Sequence, residues 1–308
     1  MVEGRIVYYD FLRCLAIILV IAVHSFPPSF HEGFASVSAL AIRNLCNIAV
    51  PIFLALSGFF MAQKNLDSDN YFPFIKKQFI RVWLPVLFCS LPLFILDILH
   101  GRNFFYCLVR FCVCGYSVYY FVAVIIQCYL MLPFLNWVYK RSNKGYIALT
   151  VLALFLAILG WGGKSYVLSH YCLKLPLILY AGGFWMWSVF FVLGFYLGRR
   201  KCNISTQMLI LFALFSFALC CVESLYLNAP SCLDGVGQKP STMLFSFFVI
   251  LILLSEQVKF FFEKIHSRIF DFLVKIGFYS FGIYLVHCYI LKFAKFSVKK
   301  TFTNSFGI

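Results

Sequence analysis

Long apolar stretches alternate with short polar connections along almost the whole chain. A helix needs about 20 predominantly apolar residues to cross a hydrocarbon core of ~30 Å. The stretches that approach this length lie near residues 9–26, 38–62, 80–98, 118–138, 146–162, 175–198, 207–228, 241–255 and 276–296. The pattern therefore predicts an all-α integral membrane protein, a polytopic bundle of about nine transmembrane helices.

The composition excludes an ordinary soluble domain. Of the 308 residues, 63% are hydrophobic and only 12% are charged, whereas soluble domains carry about 25% charged residues. Neither a long polar insertion nor an internal repeat divides the chain. We therefore expect residues 1–308 to form a single transmembrane domain.

Lysine and arginine are unevenly distributed between the connections, and this predicts the orientation. Fourteen of them fall in the connections at 64–81, 139–145, 199–206 and 256–275. Five fall in the connections at 27–37, 99–117, 163–174 and 229–240. Because positive residues favour the cytoplasmic side, the N-terminus is predicted to be cytoplasmic. The net charge of +15 comes from short clusters, so we expect contacts with membrane lipids and no nucleic-acid partner.

The C-terminal lysines do not fit this distribution. A cytoplasmic start and nine spans would place Lys292, Lys295, Lys299 and Lys300 outside, against the charge rule. Either one span is miscounted or a last, tenth helix is missing at the C-terminus.

Two ionisable residues, Arg13 and His24, interrupt the first apolar stretch, which reads YYDFLRCLAIILVIAVHS. Eleven helical steps separate them by ~16 Å in depth and leave them about 20° from alignment around the helix. A charge inside a span costs ~3 kcal/mol and usually lines a functional cavity. The structural alternative is that Asp10 pairs with Arg13 at i+3 and that His24 is a polar cap at the outer helix end.

The second apolar stretch adds further polar candidates. Arg43 and Asn47 lie towards its outer end, and Arg43 is predicted at a depth close to that of His24. The Ser57-Gly58 pair lies deeper, where small side chains let a helix or a ligand approach. Packing alone would also explain such small residues.

A basic cluster precedes the third apolar stretch. The segment FIKKQFIRVWLP places Lys76, Lys77 and Arg81 at the cytoplasmic face. Such a cluster suits a phosphate-bearing ligand, but anchoring against anionic lipid is the plainer explanation. The thirteen cysteines, in contrast, form no CxxC pair and show no zinc-ligand spacing, so no metal is predicted.

Five segments, spread over nearly the whole chain, resemble the acyltransferase 3 family of membrane O-acyltransferases. The first span is similar to the family's first helix, which is marked by R-x10-H preceded by an acidic residue, here Asp10, Arg13 and His24. VPIFLALSGFFM resembles its SGF element and IKKQFIRVWLP its basic R-x-x-P segment. FFVLGFYLGRR resembles a later helix end, and SFGIYLVHCYIL, with His287, the near-terminal helix.

Two features depart from the family pattern. Relatives often begin the fourth span with an H-x-W-like motif, where this chain has YSVYYFV, with Ser117, Tyr119 and Tyr120. Family members also usually have ten spans. The roles of these three residues and the count of spans are therefore open at the sequence level.

The resemblance implies an acyl-CoA-dependent O-acyltransferase of the bacterial cytoplasmic membrane. It would move an acyl group, acetyl first and succinyl second, from cytoplasmic acetyl-CoA or a related donor to a hydroxyl of a cell-surface or lipid-linked glycan. His24 would take the proton of the acceptor hydroxyl or would itself be acylated. The expected roles are catalysis by His24, Arg13 and Asp10, CoA binding by Arg13, Lys76, Lys77, Arg81 and Ser57, and acceptor binding by Arg43, Asn47 and His287.

The competing hypothesis is a transporter or flippase. Arg13, His24, Arg43 and Glu223 would then form a substrate or proton path, although no inverted repeat is visible. A structural or sensory membrane protein, which binds no acyl-CoA, is the third possibility.

Overall fold

The computed structural model describes residues 7–25, 34–64, 66, 68–141, 145–171, 181–200, 204–227, 238–265 and 267–306. The first eight helices are α1 Val7–Ser25, α2 Phe34–Cys46, α3 Ala49–Ala62, α4 Ser68–Gln78, α5 Leu84–Leu99, α6 Phe104–Cys112, α7 Tyr120–Leu130 and α8 Leu132–Arg141. The others are α9 Gly145–Tyr171, α10 Phe184–Leu197, α11 Thr206–Leu227, α12 Pro240–Leu253, α13 Glu256–Glu263, α14 Arg268–Phe278 and α15 Ser280–Phe306. No strand occurs in the described ranges, which confirms the all-α prediction.

In the described ranges, the membrane-crossing elements are more bent than the predicted straight spans. Four helices in the described ranges are long and apolar enough to cross a membrane: Val7–Ser25, Val37–Ala62, Asp69–Leu99 and Thr206–Leu225. The number rises to seven if each of three bent pairs is one span: α6 with Ser117–Leu130, α12 with α13, and α14 with Ser280–Ala294. Two shorter apolar helices, Leu149–Gly163 and Phe184–Leu197, stand where spans were predicted near 146–162 and 175–198. The start of the latter lies outside the described residues.

The prediction of a connection at 64–81 is wrong for most of its length. Helix α4 passes through a π-helical turn, Phe79–Trp83, directly into α5. The polar residues of α4 therefore extend a helix beyond the apolar layer and do not form a loop. Helix also occurs in the predicted connections at 99–117, 163–174 and 256–275. The predicted connections at 27–37 and 229–240 lie mostly outside the described residues.

Glycines bring the backbones of two pairs of helices into direct contact. A Cβ on Gly58 would overlap the carbonyl oxygen of Phe191, and a Cβ on Gly194 would overlap that of Ala55, so α3 and α10 pack backbone to backbone. A Cβ on Gly277 would likewise overlap the carbonyl oxygen of Asp10, which fixes α14 against α1. These contacts place α1 and α3 at the centre of the bundle.

The span that contains α6 and α7 is broken beside α15. It bends by 54°, and Cys114 and Ser117 at the break adopt left-handed backbone conformations, with φ of 56° and 54°. Two hydrogen bonds fix the break: the Tyr119 hydroxyl donates to the Leu285 carbonyl at 2.6 Å, and the Tyr284 hydroxyl donates to the Val118 carbonyl at 2.5 Å. Irregular backbone at this depth is tolerated where protein or a cavity surrounds it.

Candidate functional site

A cavity of about 390 Å³ lies between α1, α3, the π-helical turn, α7 and α15. It stands at the end of the bundle where α3 finishes and α4 begins, which the charge pattern predicts to be cytoplasmic. The charged residues of its lining are Arg13, Lys64 and Arg81. All three are cations, so the cavity suits an anionic group.

Arg13 reaches this cavity from α1 while it is held by its own helix. Its Nη1 donates to Oδ1 of Asp10 at 2.6 Å, and its guanidinium lies 5.0 Å from the centre of the Phe60 ring. Asp10 is buried, whereas the Arg13 side chain is 31% exposed. The Asp10–Arg13 ion pair that the structural alternative predicted is therefore present. Arg13 nevertheless lines the cavity.

One face of α3 supplies a row of cavity residues. Ser57, Phe60 and Met61 line the cavity, and their spacing of three and four residues is that of a single helix face. Lys64, two residues beyond the end of α3, continues this lining. The Ser57 hydroxyl contacts the Tyr129 hydroxyl at 3.0 Å. The two halves of the Ser57-Gly58 pair thus face different ways: the serine towards the cavity, and the glycine towards α10.

Lys64 is the cavity residue that the sequence argument missed. Its distance of seven residues from Ser57 was a usable signal, because seven helical steps return to within about 20° of the same direction. Desolvation, together with the positive charges of Arg81 and Lys77, lowers the pKa of Lys64. A bound phosphate would relieve this repulsion.

The members of the predicted basic cluster are not equivalent. Arg81 lies in the π-helical turn and lines the cavity; such turns recur at functional sites because they reorient side chains. Lys76 and Lys77 are exposed on α4 and do not belong to the lining. They add positive potential near the cavity without forming its wall.

Two imidazoles lie together beyond the inner end of the cavity. The ring centres of His24 on α1 and His287 on α15 are 5.4 Å apart. His287 is buried, and its Nδ1 donates to the carbonyl of Tyr284 at 2.6 Å, which leaves Nε2 as the acceptor nitrogen of a neutral ring. The sequence named both histidines, but it offered no signal that they meet.

Tyr284 links the cavity to the two histidines. Its side chain lines the cavity, and its ring centre is 5.6 Å from that of His287. His24 is not itself part of the cavity lining. Tyr284 therefore shares the cavity lining with Arg13 and contacts His287, which in turn contacts His24.

Arg43 and Asn47 lie outside this cavity lining, on and just after α2. The neighbour of Arg43, the fully buried Asn44, donates to the Ser224 hydroxyl at 2.8 Å. The buried Lys239 amine also donates to that hydroxyl and to the Cys220 carbonyl, the latter at 3.0 Å. These contacts join α2, α11 and the start of α12 in a separate polar cluster.

Glu223 belongs to the same cluster, where it accepts a hydrogen bond from Ser241. The path that the transporter hypothesis requires would have to join this glutamate to Arg13, which lines the cationic cavity. The contacts described above assign the two residues to different polar groups.

The fold and the site together define a class: a polytopic helical membrane protein that holds a polar, cationic site inside its bundle. A family model described as an acyltransferase domain matches residues 6–306 of the 308. The chain belongs to this family, the acyltransferase 3 family, and is a membrane acyltransferase. No curated protein and no solved structure matches the chain significantly.

Proposed function

We propose that the protein transfers an acyl group, most simply acetyl, from cytoplasmic acyl-CoA to a hydroxyl of a cell-surface or lipid-linked glycan. The observation that carries the proposal is the position of the two imidazoles, one helical turn beyond a cationic cavity of about 390 Å³. This arrangement separates a binding region for phosphate from a region for proton transfer, as a CoA thioester requires.

The cationic cavity that Arg13, Lys64 and Arg81 line suits acyl-CoA, and we call it the donor cavity. The phosphates of CoA bind best to guanidinium groups and to lysine amines, which Arg81, Arg13 and Lys64 supply. Apolar side chains such as Phe53, Ile125 and Phe281 form much of the remaining wall and suit the thin pantetheine arm. With the phosphates at Arg81, the thioester would extend past Tyr284 towards His24.

The imidazole pair fits the transfer step. Neutral His24 takes the proton of the acceptor hydroxyl while its oxygen attacks the thioester carbonyl carbon. The new C–O bond forms as the C–S bond breaks, and the departing CoA thiolate recovers the proton from His24. The hydrogen bond to the Tyr284 carbonyl fixes the tautomer of His287. The ring of His287 packs against the ring of His24 and so keeps His24 oriented.

The acyl group thereby crosses most of the bilayer. The donor occupies the end of α1 near Arg13 and the acceptor meets the group near His24, about 16 Å further along the helix. This geometry suits a protein of the bacterial cytoplasmic membrane that modifies a surface glycan during or after its assembly.

The test separates donor binding from transfer in the purified protein. We expect His24→Ala to retain acetyl-CoA binding and to lose transfer to a mixed pool of oligosaccharides by at least ~100-fold, the usual contribution of a general base. Arg81→Gln should instead weaken donor binding. Lys140→Gln, which removes an exposed lysine at the end of α8, serves as the matched charge control.

Transfer by His24→Ala at the wild-type rate would exclude the proposed base. Acetyl-CoA binding that is equal in the wild type, Arg81→Gln and Lys140→Gln would exclude the proposed donor cavity. Mass spectrometry of the protein after incubation with donor alone distinguishes direct transfer from an acyl-histidine route, because only the latter adds an acetyl mass to the peptide that contains His24.

A further inference from the structure

A second cavity, of about 680 Å³, lies beside Lys292, near the far end of the apolar part of α15, Ser280–Ala294, from the donor cavity. The end of α5, the broken span and the middle of α15 surround it, on the side that the charge pattern predicts to be outer. We call it the outer cavity. Its lining consists of Leu93, Leu96, Asp97, His100, Arg102, Arg110, Tyr116, Ser117 and Lys292.

The outer cavity carries an excess of positive charge. Asp97 is the one carboxylate of its lining, and it accepts from both arginines: Arg110 at 3.0 Å and Arg102 at 3.3 Å. Lys292 brings a third cation to the same wall. Three formal positive charges thus face one negative charge, which leaves the wall at +2.

The arginine nearest the break is rigidly placed. Besides Asp97, Arg110 donates from Nε to the carbonyl of Gly115 at 3.0 Å, and its guanidinium lies 4.4 Å from the centre of the Tyr116 ring. Asn103 caps the start of α6, where its side chain accepts from the Tyr106 amide at 3.1 Å. The fold therefore fixes Arg110 and Asp97 in this wall, whereas Arg102 and Lys292 are exposed at its edge.

His287 lies between the two cavities along α15. Along α15, Tyr284 lines the donor cavity and Lys292 lines the outer cavity. The eight helical steps from one to the other span about 12 Å, and His287 lies between the two. An acceptor in the outer cavity would thus approach the imidazoles from the side opposite to the donor.

We propose that the outer cavity binds the acceptor and selects one that carries an anionic group, a carboxylate or a phosphate, close to the hydroxyl that is acylated. The inference rests on the proposed function and deepens it by naming the substrate class. A neutral sugar would leave a +2 wall without a counter-charge, whereas an acidic sugar supplies one and accepts hydrogen bonds from Lys292 and Arg102.

The test compares probes that differ only in charge. A glucuronate trisaccharide and the matching glucose trisaccharide, both fluorescently labelled, are titrated against the full-length protein in detergent. We expect the glucuronate probe to bind about ten-fold more tightly. Lys292→Gln should remove most of this preference, as expected for the loss of one charge-assisted hydrogen bond, and should leave binding of the glucose probe unchanged.

Two controls separate the alternatives. Lys140→Gln removes a lysine outside both cavities and should leave the binding of each probe at its wild-type value. Nanodiscs of phosphatidylglycerol and of phosphatidylcholine replace the detergent in a second series. The proposal predicts that the glucuronate preference and its dependence on Lys292 are present in both lipids.

Three outcomes would overturn the inference: equal binding of the two trisaccharides, a glucuronate preference that Lys292→Gln leaves intact, or a preference that phosphatidylglycerol abolishes, which would assign the outer cavity to an anionic lipid headgroup. None of these bears on the proposed transfer reaction. That reaction is tested separately by His24→Ala with the mixed oligosaccharide pool, which contains neutral acceptors.

Discussion

Lys64 illustrates a site residue whose position the sequence pattern predicts, and His287 illustrates a contact that the pattern does not predict. Lys64 follows Ser57 by seven residues and lies just beyond the end of α3, so the helix period continued past Ala62 predicts its place beside the donor cavity. His287 lies 263 positions after His24, and only the folded bundle brings their rings within 5.4 Å. Local periodicity thus predicts which residues share a face, whereas contacts between distant helices depend on packing that the sequence pattern does not encode.

The lowered pKa of Lys64 predicts how donor binding depends on pH. Because desolvation and two neighbouring cations lower this pKa, Lys64 loses its charge at a lower pH than an ordinary lysine does. The phosphates of CoA favour the charged form, so acetyl-CoA affinity should fall as the pH rises through this lowered pKa. In Lys64→Arg the fall should be absent, since arginine stays charged.

Isothermal titration of the purified protein with CoA at a series of alkaline pH values measures this effect. Lys140→Arg is the control and should keep the wild-type profile. Identical profiles for the wild type and Lys64→Arg would show that Lys64 does not contact the donor.

At the scale of whole elements, apolar length predicted the helices well and their bends poorly. The first three apolar stretches correspond to helices long enough to span the membrane. The break before α7, in contrast, is fixed by hydrogen bonds of Tyr119 and Tyr284 between distant segments. The segment YSVYYFV, which departs from the family pattern, thus lies at this break, and its hydrogen bonds join it to the helix that contains His287. Polar stretches were mistaken for loops where helices extend past the apolar layer, as in α4.

The backbone contact between α3 and α10 predicts a large effect from a small substitution. In Gly58→Ala the new methyl group would overlap the Phe191 carbonyl, so the two helices must separate. Overpacking of this kind costs ~1–3 kcal/mol, and the apparent Tm of the solubilised protein should fall by several degrees.

Gly162→Ala on α9 is the matched control. Open space surrounds a Cβ at this position, and alanine favours a helix over glycine by up to ~1 kcal/mol, so its Tm should equal or exceed that of the wild type. A Gly58→Ala protein as stable as Gly162→Ala would contradict the close packing of α3 and α10. Because the Ser57 face of α3 lines the donor cavity, Gly58→Ala should also weaken acetyl-CoA binding.

At the scale of the whole molecule, the described residues place the cationic donor cavity and the cationic outer cavity at different depths along α15, with His287 between them in the sequence of that helix. Apolar length and the charge pattern predicted a membrane bundle and a cytoplasmic basic region. They did not predict the outer cavity, because Asp97, Arg102, Arg110 and Lys292 come from three segments of the chain that only the fold unites. Positive residues on the predicted outer side are unexpected under the charge rule. Their presence in the sequence was therefore a usable indication of a functional site.

Side-resolved transfer in inverted membrane vesicles tests the central claim most directly. The cytoplasmic face of such vesicles is outward, so radiolabelled acetyl-CoA is added outside while a mixture of neutral and acidic oligosaccharides is enclosed. The account predicts labelled esters in the lumen with the wild-type protein and none with His24→Ala. Labelled esters that form only when acceptor is added on the same side as acetyl-CoA would contradict it, because the acyl group would then not pass the histidine pair.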